Sequence, residues 1–162
     1  MADLRRHVEA LKLKHVSTFI ASGNVIFDLP TGNPAALERR IEKHLAKVLG
    51  YEVPAFIRTV GELRDAVEGV PFPKVLATDS LYVSFMRAEA DDATRRAILA
   101  LESPVDAFGF RGREFYWLCR GKISEVSVAW PRLEKLAKAG KGAEGTSRNI
   151  TTLRKLIEAA GG

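Results

Sequence analysis

Met1-Ala2-Asp3-Leu4-Arg5-Arg6-His7-Val8-Glu9-Ala10-Leu11, followed by Val16-Ser17-Thr18-Phe19-Ile20-Ala21-Ser22-Gly23-Asn24-Val25-Ile26-Phe27, decides how this chain is read. Leu4, Val8 and Leu11 recur at helical spacing, so the first segment predicts a helix running to about Leu13. The second predicts a hairpin. Val16–Ala21 and Val25–Phe27 carry β-branched and aromatic residues, and Ser22-Gly23-Asn24 between them tolerates the positive φ of a tight turn. Asn33 as N-cap, Pro34 at the first helical position and Gly50 at the C-terminal end bracket a second helix, with Leu37, Ile41, Leu45 and Val48 on one face. Val53–Arg58 reads as a strand, with Pro54 suiting its start or an exposed edge.

The order so far is αββαβ, a βαββαβ unit without its opening strand. In such a sheet the spatial order is 4-1-3-2. The absent strand therefore belongs between Val53–Arg58 and Val25–Phe27. Backbone groups left buried and unpaired cost about 1–3 kcal/mol each, and a handful rivals the ~5–15 kcal/mol stability of a domain. Three explanations stay open: a start upstream of Met1, direct pairing of the remaining strands, or a second chain that extends the sheet. The chain as it stands is expected to be destabilised or to form a homodimer through this sheet.

The second half opens with a capping-box pattern at Thr59 and Glu62 and a helix ending near Gly69. Leu81–Met86 is a strand. Ala90–Leu101 is a helix with Asp91 and Asp92 at its start and Arg95 and Arg96 later, as the macrodipole prefers. Val105–Phe110 and Glu114–Leu118 make a second hairpin around Arg111-Gly112. Pro131–Leu136 is a helix, Gly140–Gly145 a glycine-rich loop and Thr151–Ala160 the final helix. The expected organisation is two α+β subdomains, residues 1–58 and 59–162.

The 162 residues fit one domain or two small ones sharing a core. No apolar run approaches the ~20 residues of a membrane span, and the N-terminus has no apolar segment of a secretory signal. A single cysteine, Cys119, excludes an internal disulfide framework. A cytoplasmic location and no membrane partner are expected. The net charge of +5 is uneven: residues 111–162 carry 11 Lys and Arg against 5 acids. A basic end suits weak nucleic-acid binding by counterion release or simply a solvated surface.

Candidate chemistry centres on Thr146-Ser147-Arg148-Asn149-Ile150-Thr151-Thr152. Hydroxyls, an Arg and an Asn stand just before a helix N-terminus, where free amides and the dipole attract anions. Arg148 suits a two-bonded grip on phosphate or carboxylate, with Asn149 and Thr151 beside it and Lys122, Arg120 and Arg113 as helpers. The same residues also suit a plain helix cap. Gly140–Ser147 fails as a phosphate loop, because Thr146 stands where the Lys must be and no strand precedes it. Phe108, Phe110, Phe115 and Trp117 suit either base stacking on an α–β plait or core packing. Ser22, Gly23 and Asn24 form a polar turn that could border a ligand. His7, His15, His44 and Cys119 share no metal-ligand spacing. No carboxylate pair is placed for acid–base work, so no metal or cofactor is expected.

Three motifs carry a family resemblance: the Val16–Phe27 string, Gly112-Arg113-Glu114-Phe115-Tyr116-Trp117-Leu118, and Thr146–Leu156. Together they make the chain similar to the bacterial domain of unknown function 1697 over nearly its whole length. The resemblance implies a pair of ferredoxin-like (α–β plait) subdomains, the first lacking its opening central strand, and implies no established reaction. Similar members open with a strand and a loop of the type Leu-Arg-Gly-Ile-Asn-Val-Gly-Gly, which does not occur here. The expected function is a non-enzymatic module for a small anionic ligand. The alternatives are nucleic-acid binding through the basic C-terminal third and an enzyme whose active loop is that absent opening segment.

Overall fold

The structure, a computed structural model, describes residues 2–20, 23–121, 130–140 and 144–161. It is a mixed α+β chain of six helices and two sheets, of two and four strands, among the described residues. It divides into two compact units, Met1–Gly61 with Leu156–Gly162, and Glu62–Lys155.

The first unit begins with α1 (Ala2–Glu9), which ends four residues earlier than the sequence pattern suggests. Lys12 turns the chain with φ 61°. β1 (Lys14–Phe19) and β2 (Asn24–Asp28) pair antiparallel with Phe19 opposite Asn24. The register slips between Lys14 and Ser17, where His15 adopts φ 52°, a bulge that bends the strand. α2 (Pro34–Leu49) starts and stops where its caps dictate. Asn33 Oδ1 accepts from the Ala35 amide at 2.9 Å, and Gly50, at φ 80°, donates to the Ala46 carbonyl at 3.0 Å. Leu37, Ile41 and Leu45 form the core, against Leu4, Leu11, Leu13, Phe27, Val53, Ala55 and Ile57.

The expected strand at Val53–Arg58 does not form: residues 52–59 carry no regular element. The side chains of Val53, Ala55 and Ile57 still alternate into the core, as a strand's would. The amides do not enter a ladder. The Ala55 amide donates to Glu42 Oε1 at 2.9 Å and the Ile57 amide to Glu38 Oε1 at 2.7 Å. Two carboxylates one turn apart on α2 thus take the part of a neighbouring strand's carbonyls. Glu38 is 6% exposed, a burial that a carboxylate tolerates only with such donors around it.

The second unit is built on a four-stranded antiparallel sheet in the order β4-β5-β3-β6. Its strands are β3 (Ser80–Met86), β4 (Asp106–Arg111), β5 (Glu114–Cys119) and β6 (Gly145–Asn149). The hairpin around Arg111-Gly112 is the one the sequence marks, with Arg111 opposite Glu114. α4 (Asp92–Leu99) is capped by Asp91, whose Oδ1 accepts from the Thr94 amide at 2.7 Å. α4 and α5 (Trp130–Ala139) cover one face of the sheet. Ile98 and Leu133 pack there on Phe108, Trp117 and Cys119, with Tyr82, Phe110 and Phe115 around them. On the other face, α3 (Val60–Glu68) lies over Tyr116, whose hydroxyl donates to the Ala66 carbonyl at 2.9 Å.

β6 corrects the sequence reading, which treated Gly145 as loop and Thr146–Asn149 as a lead-in to the final helix. These residues pair with β3 along their length, Gly145 opposite Met86 and Asn149 opposite Tyr82. Gly145 is required, because a Cβ there would stand 2.7 Å from the Phe85 carbonyl oxygen. α6 (Ile150–Ala159) follows β6 without a break. No helix is long and apolar enough to cross a membrane among the described residues.

Candidate functional site

β6 places Arg148 directly opposite Val83 of β3, and Val83 in turn lies opposite Tyr116 of β5. Residues opposite one another share a face, so Arg148 stands on the Tyr116 side of the sheet. Arg148 is half-buried. Its Nη1 donates to Thr146 Oγ1 at 2.7 Å and to the Ser147 carbonyl at 2.8 Å. Burial pushes its pKa down, because the charged form loses hydration. Two residues on, α6 begins. Asn149 Oδ1 accepts from the Thr151 amide at 2.9 Å, so Asn149 caps the first turn. Ser147 points to the opposite face and shares a hydrogen bond with the Ser84 hydroxyl.

Arg148, Asn149 and Thr151 therefore sit together at the start of α6. Arg113 does not join them. It lies in the β4–β5 turn, where its carbonyl accepts from the Met86 amide at 2.9 Å. Two strand spacings and three residues separate that point from Arg148, about 14 Å of backbone. The Arg113 side chain bonds Glu62 Oε1 at 3.0 Å. Arg120 is held elsewhere, on Asp79 Oδ2 at 2.7 Å and the Lys74 carbonyl at 3.2 Å. The Asp79 carboxyl is held below the usual range by the Leu76 amide first and by Arg120, with burial opposing them. Lys122 lies outside the described residues.

In the first hairpin, Gly23 adopts φ 76°, as a tight turn requires. Asn24, buried, donates from Nδ2 to the Phe19 carbonyl at 3.2 Å and so ties the turn to its own strand. Ser22 lies outside the described residues. Ile20, half-exposed, has φ 58°, an unusual conformation for a β-branched residue.

Of the second hairpin's aromatic residues, Phe108 and Trp117 are core, and Phe110 and Phe115 are half-buried against the core. Phe108 and Trp117 are buried, and Phe108 stacks on Phe115 with centroids 5.8 Å apart. Trp117 Nε1 donates to buried Asp106 Oδ1 at 2.8 Å. Phe108 and Trp117, covered by α4 and α5, are not available to stack bases. Cys119 is free and fully buried. Burial, then the charges of Asp106 and Asp79, push its thiol up, away from the reactive thiolate. His44 rests edge-on against His7, centroids 6.1 Å apart, with its Nε2 buried and without a hydrogen-bond partner. Among the described residues no three His, Cys, Asp or Glu side chains group to hold a metal.

Sequence reasoning also misses an open cleft of about 270 Å³ in the second unit, lined by Glu62, Asp65, Glu89, Arg111, Arg113 and Glu114. Gly112 at its rim has φ 56°. Burial, then the nearby Glu114 charge, push the Tyr116 phenol on the cleft wall up to about 12. The turn signal at Arg111-Gly112 located the hairpin tip, but not the helix that faces it.

A search of curated proteins finds no match. Among solved structures, the fold matches that of the conserved bacterial protein SP0830 from Streptococcus pneumoniae. That match has a TM-score of 0.75 and 21% identity, over 100% of this chain and 89% of that one. At that identity the likeness concerns the fold. The family model described as protein of unknown function (DUF1697) matches residues 1–116, and the chain belongs to that family.

Proposed function

We propose that the protein is a non-enzymatic binding module for a small anionic ligand, held where β6 runs into α6. The observation that carries this reading is the half-buried Arg148 guanidinium two residues before the helix start, fixed by Thr146 and Ser147. A cation that has lost part of its hydration gains more from an anion than an exposed one does. The first-turn amides and macrodipole of α6 add to that preference. The strand order β4-β5-β3-β6, with α4 and α5 on one face, supports reading the second unit as an α–β plait. On such a scaffold a rigid edge strand, not a loop, aims the arginine.

The test is titration calorimetry of the full chain with inorganic phosphate and with citrate. Saturable binding is expected, and Arg148→Ala should weaken it about 10- to 100-fold, the ~1.5–3 kcal/mol of a charge-assisted bond. If Arg148→Ala lowers the melting temperature while the wild type binds neither anion, Arg148 is a structural residue and the proposal is wrong.

A further inference from the structure

α2 is 16 residues long, about 24 Å at 1.5 Å per residue. Its two acids, Glu38 and Glu42, both turn inward to the Ile57 and Ala55 amides. Its exposed positions carry Arg39, Arg40, Lys43 and Lys47 and no acid. Arg39, Lys43 and Lys47 follow at i, i+4 and i+8, so they stand in one row with about 6 Å of rise between neighbours. None of the three has an ion pair among the described residues, and Arg40 donates to the Leu11 carbonyl. Two other helices, α1 and α5, pair bases with acids on their own surface. α1 has Arg5–Glu9 at 2.8 Å and Arg6–Asp3 at 3.1 Å, and α5 has Lys138–Glu134 at 2.8 Å. Like charges four apart repel, and a polyanion laid along the row relieves that repulsion. Just past Gly50, which ends the helix, Tyr51 is 64% exposed. A basic track with an exposed ring just past its end in the chain is the combination that holds single strands, the phosphates on the cations and a base on the ring.

We propose that the outer face of α2 is a docking surface for single-stranded nucleic acid, with Arg39, Lys43 and Lys47 on the phosphates and Tyr51 stacking a base. The surface lies in the first unit and is independent of Arg148.

The experiment is fluorescence anisotropy of a labelled oligodeoxythymidine with the full chain at several salt concentrations. The triple variant Arg39→Gln, Lys43→Gln, Lys47→Gln should bind at least 10-fold more weakly at low salt. Its slope of log affinity against log salt should fall by about 2, the loss of three single-strand phosphate contacts. Tyr51→Ala should weaken binding 5-fold or more and leave the slope unchanged. The charge-keeping Arg39→Lys should bind like wild type. All four positions are exposed, so melting temperatures should stay put. Wild-type affinity and slope in the triple variant would overturn the proposal. So would a wild type that ignores the oligonucleotide and binds phosphatidylserine vesicles instead. Arg148→Ala should leave oligonucleotide binding unchanged, so this proposal and the small-anion reading fail separately.

Discussion

Val53–Arg58 and Gly145–Asn149 exchange the roles their sequences suggest. The first is rich in strand formers and alternates its apolar side chains into the core, yet joins no sheet. The second, Gly-Thr-Ser-Arg-Asn, has no apolar alternation, yet is the edge strand of a four-stranded sheet. What separates them is the partner. β6 meets the edge of β3, whose amides and carbonyls need a ladder. Val53–Arg58 meets two glutamates, which accept from its amides without being a strand. A strand is a paired state, and residue preference only biases it.

The comparison breaks most severely at the glutamates. Glu38→Ala with Glu42→Ala should leave the Ile57 and Ala55 amides without their acceptors and cost about 1–3 kcal/mol for each. Glu38→Gln with Glu42→Gln keeps a carbonyl at each place and should lose distinctly less. Urea melts measure the stability. Hydrogen exchange at the Ile57 and Ala55 amides shows whether the loss is local. Unchanged exchange in the alanine pair would mean that the carboxylates do not hold this segment.

Gly145→Ala tests the other member of the pair. Its Cβ would stand 2.7 Å from the Phe85 backbone oxygen, so β6 has to move off β3. A loss of about 1–3 kcal/mol is expected, as for other overpacked sites, with faster amide exchange along β3 and β6. A neutral outcome would mean that β6 is held loosely enough to absorb the methyl, and that Arg148 is aimed less rigidly than argued above.

The smallest effect is a titration on the Arg148 face of the same sheet. The Tyr116 phenol is raised to about 12, and an unfolded tyrosine ionises near 10. The neutral phenol therefore contributes stability that is complete below about pH 10 and lost as pH rises through 12. Ultraviolet absorbance should show a phenolate forming near pH 12 that Tyr116→Phe removes. Complete ionisation of all tyrosines by pH 11 would contradict the packing of α3 on this face.

Local signals were readable in the residues themselves. Asn33-Pro34 and Gly50 bound α2, Asp91 caps α4, and Arg111-Gly112 turns the second hairpin, because caps and turns depend on contacts a few residues apart. Three of the four stripe residues, Leu37, Ile41 and Leu45, were equally plain, while the fourth, Val48, is exposed. At the candidate site, Arg148 and the helix start after it were legible from the polar cluster before an apolar helix. That β6 is a strand was not, nor that Arg113 stands about 14 Å away, because both follow from pairing across the sheet. The inward turn of Glu38 and Glu42 also escaped, since a glutamate beside an apolar stripe reads as a surface residue.

The sequence by itself therefore determined the helices, the hairpins, the apolar faces and the family. These follow from short-range geometry and periodicity, which the order of residues specifies directly. Tertiary structure alone decided which extended segments became strands, which aromatic residues were covered and where charge reached solvent. By composition, residues 1–110 carry almost no net charge. The fold draws the acids of α2 inward to backbone amides and leaves its bases outside. The physical reason is that a buried amide needs an acceptor wherever the chain brings one, and the glutamate that meets that need is no longer there to neutralise the surface.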